Sequence, residues 1–141
     1  MTVFVDTSVI MYANGAEHPL RAPCARIMTG IGSGEVAAVT SVEVVQEILH
    51  RFISIKRPEI GISVANLTMD VFAPVFPITH ALMRRVPELA ARYPTLQARG
   101  LVHVATCIHL GITEIVSPDT GFDGVAELRR RDPVEFAATL A

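Results

Sequence analysis

"ARGLVHVATCIHLGITEIVSPDTGFDGV", residues 98–125, decides how the chain is read. After Gly100, apolar residues recur at helical spacing: Leu101, Val104, Ala105 and Ile108. "EIVSPD" at 114–119 then reads as a strand running into a loop that carries Asp119 and, four residues on, Asp123. Gly100 is the anomaly. Glycine costs a helix roughly 1 kcal/mol against alanine, and it stands in the first turn, where an acid is electrostatically favoured.

Working outward, the same alternation fills the rest of the chain. "TVFV" at 2–5 is a buried first strand ending at Asp6, and Asp6, Thr7 and Ser8 can cap the short helix that follows. A helix is expected over 19–32, a second strand over "VAAVTS" at 36–41, and a long helix capped by Ser41 and running to about Arg57. A weaker helix over 60–73 leads to a third strand, "PVFPIT" at 74–79, bounded by prolines. Thr79 caps a helix to about Arg92, and the opening stretch comes next. A short helix near 121–128 and an edge strand after Arg131 complete the reading. Strands alternating with helices predict a three-layer α/β/α fold. Its central sheet is mainly parallel, with four to five strands. No repeat or linker divides residues 1–141, so one domain is expected.

Composition fits this class. Half of the 141 residues are hydrophobic and only 18% are charged, which suits strands covered on both faces and leaves apolar surface for a partner. No apolar run reaches the length of a membrane span. The start "MTVFVDTS" lacks a basic segment before an apolar one, so a cytoplasmic protein is expected. Cys24 and Cys107 have no metal-ligand spacing and read as buried thiols. The net charge of −2 gives no global sign of nucleic acid, but eleven of the twelve basic residues are Arg, whose fork suits phosphate or carboxylate. "RRR" at 129–131 and "RR" at 84–85 read as solvated faces before they read as phosphate tracks.

In open parallel sheets, ligands gather at the carboxyl ends of the strands near a switch in strand order. Asp6 and Asp119 fall at such ends. Glu43 and Glu47 lie one turn apart on the long helix, flanking its apolar stripe, and Glu47 can also pair with Arg51. Each acid has a structural reading as a cap, a turn residue or a surface charge. Together they point to a cation, because converging carboxylates repel one another and raise each other's pKa. Mg²⁺ or Mn²⁺ takes oxygen ligands and serves phosphate chemistry. His103, on the same helical stripe as Gly100, reads as a satisfied core histidine. Serine-hydrolase, P-loop and dinucleotide motifs are absent.

"VFVDTSVIMY", "VTSVEVVQEILHRF" and the opening stretch together resemble the PIN domain, and within it the VapC-type toxin ribonucleases of toxin–antitoxin pairs. The resemblance runs through nearly the whole chain in the right order. It implies a Mg²⁺- or Mn²⁺-dependent endoribonuclease that cuts structured RNA, of the tRNA or rRNA class. It implies as well a VapB-type antitoxin as partner, a basic side chain of which enters the acidic pocket, and a homodimer. Its acids fall on Asp6, Glu47 and Asp119, with Asp123 at a less regular position and Thr7, Ser8 and Ser117 beside them. Arg51, Arg84, Arg85 and Arg99 are the candidates for guiding RNA. The family's remaining acid opens the helix before the fourth strand, where this chain has Gly100.

Three readings of Gly100 stand open: an inactivated copy of a toxic enzyme, a naturally weakened or non-catalytic member, or a plain helix cap outside the acid alignment. A binding module that holds RNA or antitoxin without cutting is the second functional reading. A receiver-like domain phosphorylated on Asp6 is the third, and the lack of an adjacent second Asp counts against it.

Overall fold

The computed structural model describes all 141 residues. In chain order the elements are β1 (Val3–Val5), α1 (Thr7–Asn14), α2 (Arg21–Gly32), β2 (Ala38–Val39), α3 (Val42–Ser54), α4 (Pro58–Val71), α5 (His80–Met83), α6 (Val86–Arg92), α7 (Ala98–Leu110), β3 (Glu114–Val116), a 3₁₀ turn (Thr120–Gly124), β4 (Arg129–Arg131) and α8 (Pro133–Ala138). The four strands form one sheet in the order β2-β1-β3-β4, every neighbour parallel. Helices cover both sides of it.

β1 is the hinge of this topology. Phe4 pairs with Val39 on one side and with Ile115 on the other. Val3, Phe4, Val5, Ile115 and Val116 are all buried, as strands enclosed between two helical layers must be. The chain leaves β1 toward β2 on one side and returns to it through β3 on the other. The switch in strand order therefore lies between β1 and β3. The ladder runs past the named strands there: Asp6 N donates to Val116 O at 3.1 Å, and Ser117 N donates to Arg131 O at 3.1 Å.

The expected third strand shrinks to a single parallel bridge between Ser41 and Phe76. Phe76 N donates to Thr40 O, and Val42 N donates to Phe76 O. Pro74 and Pro77 flank this residue and carry no N–H, so the ladder cannot lengthen. The helix expected from Thr79 to Arg92 is two helices, α5 and α6, although Thr79 does cap the first by accepting from Leu82 N. Pro87, near the start of α6, suits a fresh helix start and not a helix interior.

Of the arginine run, Arg129 is the solvated residue expected, while Arg130 and Arg131 are half-buried and ion-paired. The run is the edge strand β4 itself. Arg131 pairs with buried Glu114 at 2.8 Å and lies over the Phe136 ring, and Arg130 donates to Asp123. α8 has a start signal in Asp132-Pro133: the Asp132 carboxylate accepts from Val134 N and Glu135 N, and Pro133 takes the first helical position.

Packing between α3 and α4 depends on Gly61. A Cβ built there would stand 2.8 Å from Phe52 Cβ, a contact real side chains do not make. Gly61→Ala is expected to lower stability by about 1–3 kcal/mol through overpacking, against the gain in helix propensity it brings. Urea denaturation checks the sign.

Candidate active site

Four chain segments converge at the carboxyl ends of β1 and β3. Asp6 follows β1 directly. One of its carboxylate oxygens accepts from Thr7 N at 2.8 Å and so caps α1. The other accepts from the Ser117 hydroxyl at 2.6 Å. That hydroxyl also accepts from Asp119 N at 3.0 Å, so a single side chain fixes both strand ends. The Asp119 carboxylate accepts from Gly121 N at 2.8 Å and opens the 3₁₀ turn. α3 brings in Glu47 and α7 brings in His103, whose Nε2 lies 2.6 Å from Glu47 Oε1 and 3.6 Å from Asp6 Oδ1.

These groups border a cavity of about 420 Å³. Its lining includes Asp6, Thr7, Ser8, Glu47, Asp119, Gly100 and His103, with Arg51 and Arg99 as its basic residues and Leu96, Gly121 and Phe122 at its wall. The expected residues that do not line it are Glu43, Ser117, Asp123, Arg84 and Arg85. Asp123 is 55% exposed and clasped by the Arg130 guanidinium, which also donates to Ser117 O. Arg84 and Arg85 stand at the break between α5 and α6, where Arg84 donates to His80.

Gly100 is not the cap of α7. That position belongs to Gln97, and Gly100 is the third helical residue, in the cavity wall. A Cβ at this position would meet Phe122 at 3.7 Å and Leu96 at 3.9 Å, ordinary contacts that leave room for a side chain. Glycine is therefore not demanded by packing.

His103 is buried as expected for a core histidine, with 1% of its surface exposed, but it is not satisfied. Its Nδ1 has no hydrogen-bond partner, and its ring lies tilted against Phe4. Its i+3 spacing from Gly100 was the available signal that it faces the acids. Burial alone would push its pKa down. The Glu47 hydrogen bond and the negative charges of Asp6, Glu47 and Glu43 outweigh burial and hold it above the ordinary 6.5. Burial raises the Asp6 carboxyl above its usual 3.8, while His103 and the Ser117 hydroxyl pull the other way. Glu43, one turn before Glu47, is also raised, by partial burial and by the Glu47 charge.

The fold and the site have counterparts. Residues 3–128 match the family model described as PIN domain. A VapC ribonuclease of Mycobacterium bovis and the ribonuclease VapC13 of Mycobacterium tuberculosis are each 35% identical over 128 residues, covering 91% of this chain and 98% of theirs. Among solved structures, VapBC2 from Rickettsia felis, bound to a DNA fragment from its promoter, superposes with a TM-score of 0.73 at 14% identity, covering 93% of this chain and 98% of that one. A toxin–antitoxin complex from Klebsiella pneumoniae gives 0.67 at 13% identity, over 93% and 97%. The chain belongs to the PIN-domain family, among its VapC relatives.

Two measurements probe the site's electrostatics. Ser117→Ala removes a hydrogen bond to the charged form of Asp6. It should move the Asp6 pKa further up, as read by carboxyl-carbon NMR, and cost roughly 1–3 kcal/mol of stability. The raised His103 pKa stabilises the fold fully below 6.5, and this contribution is lost as pH climbs through the higher folded-state value. The melting temperature should fall as pH rises above about 6.5, and fall less steeply in Glu47→Gln.

Proposed function

We propose that this PIN-domain chain is a VapC-type endoribonuclease toxin, held in check by a VapB-type antitoxin, whose cutting activity is impaired at Gly100. The observation that carries this reading is the position of Gly100. It lines the same cavity as Asp6 and Asp119, with ordinary space for a Cβ and no packing reason for glycine.

The Mg²⁺ or Mn²⁺ on which such nucleases depend does not fit the donors as they stand. No group of three or more His, Cys, Asp and Glu side chains is arranged to hold a metal ion. Glu47 is taken up by His103, and Gly100 offers no oxygen. Asp6 and Asp119 remain as the carboxylates on the cavity, both oriented by backbone N–H groups. In the proposed roles Asp6, Asp119 and Glu47 form the acidic centre. Asp123 acts at a distance, through the Arg130 contact that braces the Asp119 loop.

The substrate class is structured RNA, tRNA or rRNA. Arg51 and Arg99, at the cavity, are the best placed of the four arginines to hold a phosphate. An apolar groove lined by Met11, Tyr12, Phe52 and Ile55 adjoins the acidic cavity, sharing Ser8, Met11 and Arg51 with it. A VapB-type segment laid in that groove would bring a basic side chain to the acids, and the matching solved structures include toxin–antitoxin complexes. A homodimer accompanies this reading as a property of the family. No helix is long and apolar enough to cross a membrane, and a cytoplasmic setting follows from an RNA substrate.

The Glu47–His103 bond favours one alternative, a module that binds RNA or antitoxin without cutting. The deciding experiment sets this chain beside Gly100→Asp on total tRNA and rRNA, with Mg²⁺, Mn²⁺ or EDTA. The Asp form is expected to cut at least about 10- to 100-fold faster, and EDTA to stop it. Equal cutting by both forms would remove Gly100 from the site's chemistry, and cutting by neither would favour the binding module. Arg51→Ala and Arg99→Ala should each weaken RNA binding and flatten its dependence on log salt by about one unit of slope, whatever the sequence of the RNA.

A further inference from the structure

We infer that His103 is the resident partner of the Glu47 and Asp6 carboxylates in this chain, and that a divalent ion entering the pocket competes with it for Glu47. The inference deepens the nuclease reading of the pocket, but its test needs no RNA and no cutting.

The geometry leaves His103 little choice. Its ring is 1% exposed and packed against Phe4, so it cannot turn into solvent. Nδ1 has no partner, which makes Nε2 the ring's one hydrogen-bonding atom. Nε2 stands between two acids, at 2.6 Å from Glu47 and 3.6 Å from Asp6. A proton on Nε2 donates to Glu47 and faces Asp6, and so eases the repulsion between two carboxylates brought together in a confined space. Glu47 in turn makes no other side-chain hydrogen bond and is 15% exposed at the side chain. The contact also joins α3 to α7 across the cavity, the two helices that face one another there.

A free carboxylate set would greet a cation with open lone pairs. Here Oε1 of Glu47 is already committed, and breaking that bond leaves His103 with no hydrogen-bond partner in the interior. The cost of stranding a buried donor falls on the metal's apparent affinity. His103 is thus a positioning residue: it acts through Glu47, by fixing its rotamer and by competing for its oxygen.

The test uses Mn²⁺ alone as probe, read by electron paramagnetic resonance of the free ion and by thermal melting with Mn²⁺ or EDTA. His103→Leu removes the competing donor, and His103→Gln retains an N–H near the position of Nε2. The leucine variant should bind Mn²⁺ at least about tenfold more tightly than the natural chain and gain melting temperature on Mn²⁺ addition. The glutamine variant should stay near the natural affinity, and Glu47→Gln added to His103→Leu should abolish the gain. A merely structural histidine would lower the melting temperature in both variants without altering the response to Mn²⁺. If the leucine variant is folded and binds Mn²⁺ no better, the inference is overturned. Should the leucine variant fail to fold, the natural chain decides. On Mg²⁺ titration the His103 ring nitrogens should shift by NMR with the same midpoint as the Glu47 carboxyl carbon, and saturation that leaves His103 unmoved would overturn the inference. Neither outcome depends on whether Gly100→Asp cuts RNA.

Discussion

The Ser117 hydroxyl is the contact on which the site is built. It donates to the Asp6 carboxylate and accepts from the Asp119 backbone. Those two acids leave the sheet from adjacent parallel strands, so one buried hydroxyl sets the distance between them. Parallel pairing of β1 with β3 supplies the alignment, because it brings both strand ends out on the same edge. The helices then contribute what the strands cannot: a second pair of groups, Glu47 and His103, presented from opposite walls. Remove the strand pairing and the acids are merely scattered along the chain.

Electrostatics explains why the pocket is held so firmly. Two carboxylates close together in a half-buried space cost free energy unless something positive, or a set of donors, compensates. Asp6 receives a backbone N–H and a hydroxyl, Asp119 a backbone N–H, and Glu47 an imidazole. The upward shifts at Asp6 and Glu43 follow from burial and from the carboxylates crowded beside them, whereas His103 is raised by those carboxylates against the effect of its burial. The edge strand shows the same economy elsewhere, where Glu114 is buried beneath Arg131 with Arg129 beside it.

The α/β order, the buried first strand, Asp6 at its end and Asp119 beyond the later one were legible because they rest on strong local signals. β-branched runs mark strands, Asx residues mark helix starts, and alternation marks a parallel sheet. What was illegible depended on long-range pairing. "PVFPIT" has strand composition, yet its prolines leave Phe76 alone to bond with a neighbour that sequence cannot identify. The arginine run looked like surface because nothing local shows that Glu114, fifteen residues earlier, lies opposite Arg129. His103 looked like core because burial was read correctly and its acidic neighbours, contributed by β1 and α3, were out of sight.

The acids of this pocket do not carry equal duties in the fold. Asp6 caps α1 and anchors Ser117, Asp119 opens the 3₁₀ turn, and Glu47 answers a buried imidazole. Position 100 sits in a helix wall with ordinary contacts and no bond to any neighbouring element. Replacing an acid there by glycine costs the fold on the order of 1 kcal/mol, while the other three are tied into folding itself. A lineage under pressure to silence such a pocket would therefore find one door unlocked. Position 100 can change between glycine and a larger residue while Asp6, Asp119 and Glu47 keep their places and the fold stays intact.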